Sequence, residues 1–279
     1  MRILVLWAAF AATAWAESPS RIVSIGGAAT ETVFAIGAGD RVVGVDTTST
    51  FPSEATKLPQ VGYQRALSAE GIASLNPDLV ILPATAGPPT AVAQLEQLKV
   101  PLLRLEEGHT VEAAANRIRE IGEALGLVAA ADKLAAELER EAAAVVPPST
   151  PAPRVLFVMS AGGRAPMVAG TNTAADSAIR LAGGQNVVTD FEGYKQLTPE
   201  ALVTLAPEVI VTTSRTVAAN GDAKRAADLL PGLEMTPAGQ SNRLVVMEDL
   251  YLLGFGPRAG EALGELARRL ADARVQAAR

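Results

Sequence analysis

The sequence predicts an α/β protein made of two lobes that face each other across a central cleft and are joined by one long helix. Three observations support this fold class. Short apolar runs alternate with amphipathic stretches, a long helical stretch ends at a proline-rich segment near mid-chain, and one block of sequence occurs twice. Such alternation is typical of parallel sheets covered by helices. The 279 residues suffice for two domains of ordinary size.

The predicted strands are short runs rich in β-branched residues, each bounded by Gly, Pro or Asp. They are Arg21–Ile25, Val42–Val45, Leu79–Leu82, Leu102–Leu105, Val155–Met159, Val209–Thr213 and Leu244–Met247. Between several of them, amphipathic periodicity predicts helices. These are Ala28–Ile36, Ala69–Leu75, Thr90–Leu98 and Val111–Leu125. The order of strands and helices therefore indicates two α/β lobes in sequence.

The connecting helix is predicted over Ala129–Val146, a stretch rich in Ala, Leu and Glu that contains neither Gly nor Pro. The prolines of residues 147–153 end it. We therefore place the first lobe at residues 17–126, the connecting helix and its proline-rich break at 127–152, and the second lobe at 153–279. The alternative is a surface helix inside one large domain.

An internal repeat supports the two-lobe prediction. Residues 67–81 align with residues 197–211 without a gap, and both copies have the pattern of a capped helix, a proline, an acidic residue and a buried strand. Ser68 and Thr198 are suitable helix N-caps, and Pro199 is acceptable at the first helical position. The lobes are therefore predicted to be copies of one Rossmann-like α/β unit.

Two tyrosines precede the repeated helices. Gly62-Tyr63 in the first copy corresponds to Gly193-Tyr194 in the second, and a cation follows each pair, Arg65 or Lys195. Ligands of such folds bind at the carboxyl ends of the strands, so both tyrosines are expected near the cleft. In an extended segment, residues two positions apart point to the same side, which would bring Arg65 to the Tyr63 oxygen. A guanidinium there favours the phenolate form, although a tyrosine beside a turn is ordinarily only half-buried with a hydrated hydroxyl.

The first sixteen residues are predicted to be a secretory signal peptide. Arg2 precedes an apolar run from Ile3 to Ala14, and Ala14-Trp15-Ala16 fits the pattern cleaved after Ala16. With no cysteine in the chain, a disulfide and a lipid-modified cysteine are both excluded. We therefore expect a free, monomeric periplasmic protein without direct membrane insertion. Secretion from a Gram-positive cell is the alternative.

Composition and motifs argue against other function classes. Only 19% of residues are charged and the net charge is −6, so no basic face is expected for nucleic acid. The sequence contains no P-loop, no G-x-S-x-G elbow and no H-E-x-x-H motif. A single histidine, His109, leaves little scope for proton shuttling. No catalytic residues are therefore predicted.

Four segments resemble one known family. The stretch Val61–Gly71 closely resembles the haem-site segment of the periplasmic haem-binding proteins that serve bacterial ABC haem importers. The same family is similar at three further segments: Met167–Gly170, Gly193–Lys195 and Leu252–Arg258. The resemblance extends from about Arg21 to the C-terminal helix. Ferric-siderophore and cobalamin binding proteins share the fold.

The resemblance implies a role for several residues. It makes Tyr63 the axial ligand of a ferric haem iron and Arg65 the donor to its oxygen. It makes Glu70 and Glu200 a pair of acids that dock on the inner-membrane ABC permease, which works with its ATPase. Both acids suit the first turn of a helix, where the dipole favours them. Candidates for the remaining contacts to haem and its propionates are Tyr194, Lys195, Arg164, Arg215 and Arg258.

One departure from the family leaves the number of ligands open. Some relatives carry a histidine in the second lobe near the segment that here is Ser160–Pro166, which contains none. A second iron ligand and a second haem are therefore left open. His109 is expected to be an exposed loop residue before an N-cap at Thr110, with contact to iron as the alternative. We expect a haem carrier with modest closure on binding; the rivals are a siderophore or cobalamin carrier, a hydrolytic enzyme and an interaction module.

Overall fold

The structure is a computed structural model, and it describes residues 18–148, 150–160 and 166–275. The predicted signal peptide and Arg164 lie outside the described residues. Within them the strands are β1 (Ile22–Ser24), β2 (Val42–Val45), β3 (Gly62–Tyr63), β4 (Ala66–Leu67), β5 (Leu79–Pro83), β6 (Leu102–Leu105), β7 (Arg154–Met159), β8 (Met167–Ala169), β9 (Gln185–Asn186), β10 (Tyr194–Lys195), β11 (Val209–Thr213) and β12 (Leu244–Met247).

The helices of the same residues alternate with these strands, as the sequence predicts. They are α1 (Gly27–Ala35), α2 (Ala69–Ser74), α3 (Pro89–Gln97), α4 (Val111–Leu125), α5 (Val128–Ala143), α6 (Ala174–Leu181), α7 (Pro199–Leu205), α8 (Ser214–Ala219), α9 (Pro237–Gln240), α10 (Asp249–Leu253) and α11 (Ala259–Val275). The α/β class is therefore confirmed. None of the helices in the described part of the chain has both the length and the apolar character required to cross a membrane.

The first sheet has the strand order β2-β1-β5-β6, and every pairing in it is parallel. Its central strand β1 is buried on both faces, which is why its residues are a continuous apolar run and not an alternating one. The carboxyl ends of these four strands lie along one edge of the sheet. The residues that follow them are therefore available to form a site.

The second sheet has the order β10-β8-β7-β11-β12, with β9 also paired to β7. Strands β7, β9, β11 and β12 run parallel to one another, whereas β8 pairs antiparallel with both of its neighbours, β7 and β10. The predicted strands of this sheet, β7, β11 and β12, pair in parallel as expected, and the antiparallel β8 is not among the predicted strands. The connection from β7 to β8 spans residues 160–166, which is too short for the crossover that a parallel neighbour requires.

Helices join the two sheets. Helix α5 packs against both α4 and α11, and it is the predicted connecting helix, ending three residues before the predicted Val146. One continuous cluster of buried apolar side chains includes Val45 beside the first sheet, Phe157 of the second and Leu138 of α5. Two α/β units are thus built on a shared core. The residue boundaries assigned to the lobes stay a prediction.

Candidate functional site

A cleft of about 830 Å³ opens between the two units. It lies beyond the carboxyl ends of β1, β5, β6 and β7, where Ile25, Pro83, Leu105 and Met159 line it. This position and volume are those of small-molecule sites in α/β proteins, which are commonly about 300–1,000 Å³. The cleft is therefore the candidate binding site.

Tyr63 is carried into the cleft by a short hairpin. Strands β3 and β4 pair antiparallel with Tyr63 opposite Ala66, so Gln64 and Arg65 form the tip. Gly62 begins the hairpin at φ 105°, and a Cβ there would lie 2.8 Å from the Ala66 carbonyl oxygen. Only glycine fits such a position without strain. The Tyr63 side chain is 40% exposed and lines the cleft.

Arg65 is bonded to Tyr63 directly. Its NH1 donates a hydrogen bond to the Tyr63 hydroxyl oxygen at 2.9 Å. The sequence places both residues in one extended segment, whereas the structure puts Tyr63 in a strand and Arg65 in the following turn. The expected contact between the two side chains is present. It arises from the hairpin turn, and not from two residues of one strand pointing to the same side.

Tyr194 lines the opposite wall, from the second unit. Its ring meets the edge of the Phe157 ring with centroids 6.5 Å apart. Burial raises the pKa of the Tyr194 phenol, outweighing hydrogen bonds involving Thr173 and Ala175 and the charge of Arg65, which lower it. Tyr194 is therefore a neutral phenol at neutral pH. Its chain neighbour Lys195 does not line the cleft, and its Nζ lies 4.9 Å from the Phe191 ring centroid.

The predicted arginines have different positions. Arg215 lines the cleft, with its Nε 3.8 Å from Asp249 and its side chain 59% exposed. Arg258 lies outside the cleft, because its Nε and NH2 donate to the two carboxylate oxygens of Glu31 at 2.6 and 3.1 Å. The guanidinium also stacks on Phe51, 3.8 Å from the ring centroid. Arg258 thus connects the start of α11 to α1, and its guanidinium is not available to a ligand in the cleft.

His109 differs from its expected exposure. It is partly buried, lines the cleft, and has its ring centroid 5.5 Å from that of Phe255. Burial lowers the pKa of His109; Glu107 opposes this shift and Arg117 reinforces it. Thr110 caps α4 as predicted, accepting a hydrogen bond from the Ala113 N–H at 3.0 Å. The expectation of an exposed loop histidine is therefore wrong, because the Phe255 segment packs over it.

Arg117 is a cleft residue that sequence reasoning missed. It projects from α4, and its NH1 donates to the Gly108 carbonyl at 3.0 Å while its NH2 donates to the Phe255 carbonyl at 2.9 Å. Burial lowers the pKa of its guanidinium, against the charges of Glu120 and Glu107, which raise it. A lone arginine in an amphipathic helix gives no signal of this kind. Its contact with Phe255 spans 138 positions of sequence.

Glu70 and Glu200 lie outside the cleft. Both are exposed in the first turns of α2 and α7. The predicted N-caps are present: the Ser68 hydroxyl accepts from Gly71 N–H at 3.0 Å, and the Thr198 hydroxyl accepts from Ala201 N–H at 3.3 Å. Hydrogen bonds from its own backbone N–H and from the Thr198 hydroxyl lower the pKa of Glu200. The repeat thus presents one acid at the same helical position in each unit.

Known proteins resemble the chain over most of its length. The sequence profile described as periplasmic binding protein matches residues 22–250. Among solved structures, the periplasmic heme-binding protein BhuT in complex with two hemes is 45% identical with a TM-score of 0.84, covering 91% of this chain and 98% of that one.

Two relatives extend the comparison. An uncharacterized ABC transporter substrate-binding lipoprotein, YvrC of Bacillus subtilis (strain 168), is 28% identical over 91% of this chain and 81% of that protein. A cobalamin-binding protein of Halobacterium salinarum is 29% identical over 90% of this chain and 69% of that protein.

Proposed function

Because the chain belongs to the periplasmic binding protein family, we propose that it captures ferric haem in the interlobe cleft and delivers it to an ABC permease. Members of this family bind substrates for transport, and the chain is a binding protein and not an enzyme. One observation carries the choice of haem. It is the phenol oxygen of Tyr63 in the cleft, which accepts a hydrogen bond from Arg65 NH1 at 2.9 Å.

Tyr63 is the proposed axial ligand. Ferric iron is a hard cation, and tyrosine oxygen is one of the ligands that proteins give to haem iron. A guanidinium donor shortens and strengthens the contact to an anionic oxygen, so Arg65 would compensate the charge of a coordinated phenolate. Tyr194 is the less suitable ligand, since burial raises the pKa of its phenol.

The other walls of the cleft suit a flat apolar ring with acidic groups. Met159, Met167 and Phe255 supply apolar surface. Arg215 is an exposed cation of the cleft that is not bonded to Tyr63, and it is our proposed partner for a propionate. Lys195 and Arg258, predicted for the same role, do not line the cleft, so the proposal does not use them.

Delivery requires a partner. A substrate-binding protein of this family works with an ABC permease and its ATPase. We propose that Glu70 and Glu200 contact that permease, because they are exposed at equivalent positions of the repeated helices and away from the cleft. Export to the periplasm through the predicted signal peptide belongs to the same proposal.

Titration with hemin tests the haem assignment. The wild-type protein should give a high-spin ferric tyrosinate spectrum, and Tyr63→Phe should lose that spectrum and bind at least about tenfold more weakly, which is 1.4 kcal/mol. Tyr251→Phe is the matched control because Tyr251 does not line the cleft; it should behave as wild type. An unchanged spectrum and affinity in Tyr63→Phe would rule out Tyr63 as the ligand.

Cobalamin is the second candidate, and the Halobacterium salinarum relative is the observation that favours it. Cyanocobalamin already carries both axial ligands of its cobalt, cyanide and its own nucleotide base, so it needs no phenolate from the protein. Titration with cyanocobalamin under the same conditions separates the two. Binding of cyanocobalamin that exceeds hemin binding and is insensitive to Tyr63→Phe would favour the cobalamin carrier.

A further inference from the structure

We propose that Asp46 is a positioning residue for Tyr63, because its buried carboxylate fixes the peptide between Tyr63 and Arg65 to the start of α1. The role assigned to it in haem binding rests on the proposed function. Its role in holding the hairpin does not depend on a bound ligand. Asp46 is neither part of the sequence predictions nor a residue that lines the cleft.

The Asp46 carboxylate is fully buried, at 0% exposure, and lies just after β2. Its Oδ1 accepts from the Gly26 N–H and the Ser49 hydroxyl, each at 2.9 Å. Its Oδ2 accepts from the Thr48 N–H at 3.1 Å and the Gln64 N–H at 3.2 Å. The Thr48 hydroxyl donates to this carboxylate as well, 2.8 Å from Oδ2 and 3.0 Å from Oδ1.

These partners explain why the position needs a carboxylate. They are three backbone N–H groups and two hydroxyls, distributed over both oxygens. An asparagine has a single acceptor oxygen, and its other terminal atom is an NH₂ donor. That NH₂ group would face the N–H and O–H donors that now bond to one carboxylate oxygen. A buried charge is tolerated only when hydrogen bonds satisfy it, and bonds to an ionised group are the stronger ones. The carboxylate therefore ties together backbone segments that a neutral side chain would not.

The two oxygens hold two different parts of the site. Oδ1 holds Gly26, which leads into α1. Oδ2 holds Gln64, whose peptide groups connect it to Tyr63 on one side and Arg65 on the other. The Gln64 carbonyl in turn accepts from the Gly87 N–H at 2.9 Å. Both polar groups of the Gln64 backbone are thus bonded to fixed neighbours.

A second bond strengthens the same attachment. The Thr47 N–H, next to Asp46, donates to the Gly62 carbonyl at 2.9 Å. The hairpin is thereby held to the segment after β2 on either side of Tyr63. Tyr63 is 40% exposed, so this backbone attachment, together with the Arg65 hydrogen bond, sets where its phenol oxygen lies relative to α1. Binding sites require such placement within about 0.5 Å.

The test uses Asp46→Asn in the full mature chain, with hemin as the probe. Loss of a group that orients a metal ligand typically costs about 10–100-fold in affinity. We expect a loss of that size, a shift of the tyrosinate charge-transfer band, and faster hydrogen exchange of the Gln64 amide in the empty protein. A merely structural residue would lower the melting temperature without moving the band.

Asp78→Asn is the matched control. Asp78 belongs to the same unit, but it accepts from the Ser20 N–H at 2.8 Å and the Arg21 N–H at 2.9 Å, at the opposite end of the sheet. It should lower stability and leave the hemin affinity, the band and Gln64 exchange unchanged. An equal loss of affinity in both variants, or an unchanged band and affinity in Asp46→Asn, would overturn the proposal.

A second variant and a measurement without hemin cover the cases in which Asp46→Asn does not fold or hemin does not bind. If Asp46→Asn does not fold, Ser49→Ala removes one donor to Oδ1 and keeps the carboxylate; it should move the band and Gln64 exchange in the same direction, and no movement in either overturns the proposal. If wild-type protein does not bind hemin, the proposed function fails. Gln64 exchange in the empty protein then decides the positioning role alone, faster exchange supporting it and an unchanged rate rejecting it.

Discussion

Tyr63 and Tyr194 occupy equivalent places in the sequence repeat, yet their neighbours give them different chemistry. Tyr63 is exposed at the end of β3, next to the hairpin turn, and accepts a hydrogen bond from Arg65. Tyr194 stands edge-on to Phe157, and burial raises the pKa of its phenol. The two units repeat the same backbone pattern around these tyrosines, but the charged and apolar neighbours of the two phenols differ. An anionic oxygen ligand is therefore expected from the first unit only.

His109 gives the stability of the protein a pH dependence. Burial lowers its pKa below 6.5 in the folded state, so the unfolded chain binds more protons in the interval below 6.5. The contribution of neutral His109 is present above pH 6.5 and is lost as the pH falls through the folded pKa. His109→Asn removes it. Urea unfolding at about pH 7.5 and about pH 5 should show a larger loss of unfolding free energy for wild type than for the variant.

Comparing the loss of unfolding free energy in wild type and in His109→Asn separates the effect of His109 from that of the carboxylates, which titrate in both proteins. Parallel losses in the two proteins would contradict the assignment. The shift reflects packing under Phe255 and the nearby charges of Glu107 and Arg117. The sequence shows none of these three contacts, which explains why it predicts an exposed loop histidine.

Elements with a strong local signal are predictable from the sequence. Helix α4 has its predicted bounds, since Thr110 caps its start and Gly126 ends it at φ 69°. Strands β2, β6, β11 and β12 also have their predicted bounds. The hairpin of β3 and β4 was missed, because strands of two residues carry no periodicity. The site follows the same division. Tyr63 and Arg65 are two positions apart, so the sequence predicts their contact, whereas Asp46 and Arg117 contact partners distant in sequence.

The contact between α4 and α5 depends on a small residue. A Cβ at Gly122 would lie 2.2 Å from the Ala131 Cβ, far closer than two carbon atoms can approach. Gly122→Ala should therefore destabilise the protein, because overpacking costs about 1–3 kcal/mol and exceeds the gain in helix propensity of about 1 kcal/mol. Thermal or urea unfolding measures the difference.

Gly264→Ala is the control for this prediction. Gly264 lies in α11, and a Cβ there would meet only the Arg268 NH1 at 3.5 Å, the end of a flexible side chain. Alanine should be neutral or stabilising at that position, by up to about 1 kcal/mol. If Gly122→Ala proves as stable as Gly264→Ala, the close approach of α4 and α5 is not a constraint.

At the scale of the whole molecule, the proposed docking on the permease would require the two units to present their acids together. Glu70→Lys with Glu200→Lys should lower stimulation of the permease ATPase by the loaded protein about tenfold. Opposite charges steer association, so reversing both signs changes attraction into repulsion. Hemin affinity should stay unchanged, because neither residue lines the cleft. The assay needs the permease and ATPase reconstituted in vesicles.

Glu54→Lys controls for the reversal of an exposed acid at another position, since Glu54 is also exposed in the first unit and lies outside the repeated helices. It should leave ATPase stimulation near the wild-type level. Full stimulation by the double variant would exclude these acids as the docking pair. A loss of hemin affinity in that variant would indicate damage to the binding protein itself.

The shared core has a thermodynamic consequence. Leu138 of α5 belongs to the same buried cluster as Val45 and Phe157, so one apolar face of each sheet packs into a core that both units share, while the other face packs within its own unit. Unfolding of one unit would expose the shared apolar face of the other, so we expect the two units to unfold in one coupled transition. A half-chain expressed alone would likewise expose the surface that α5 normally covers.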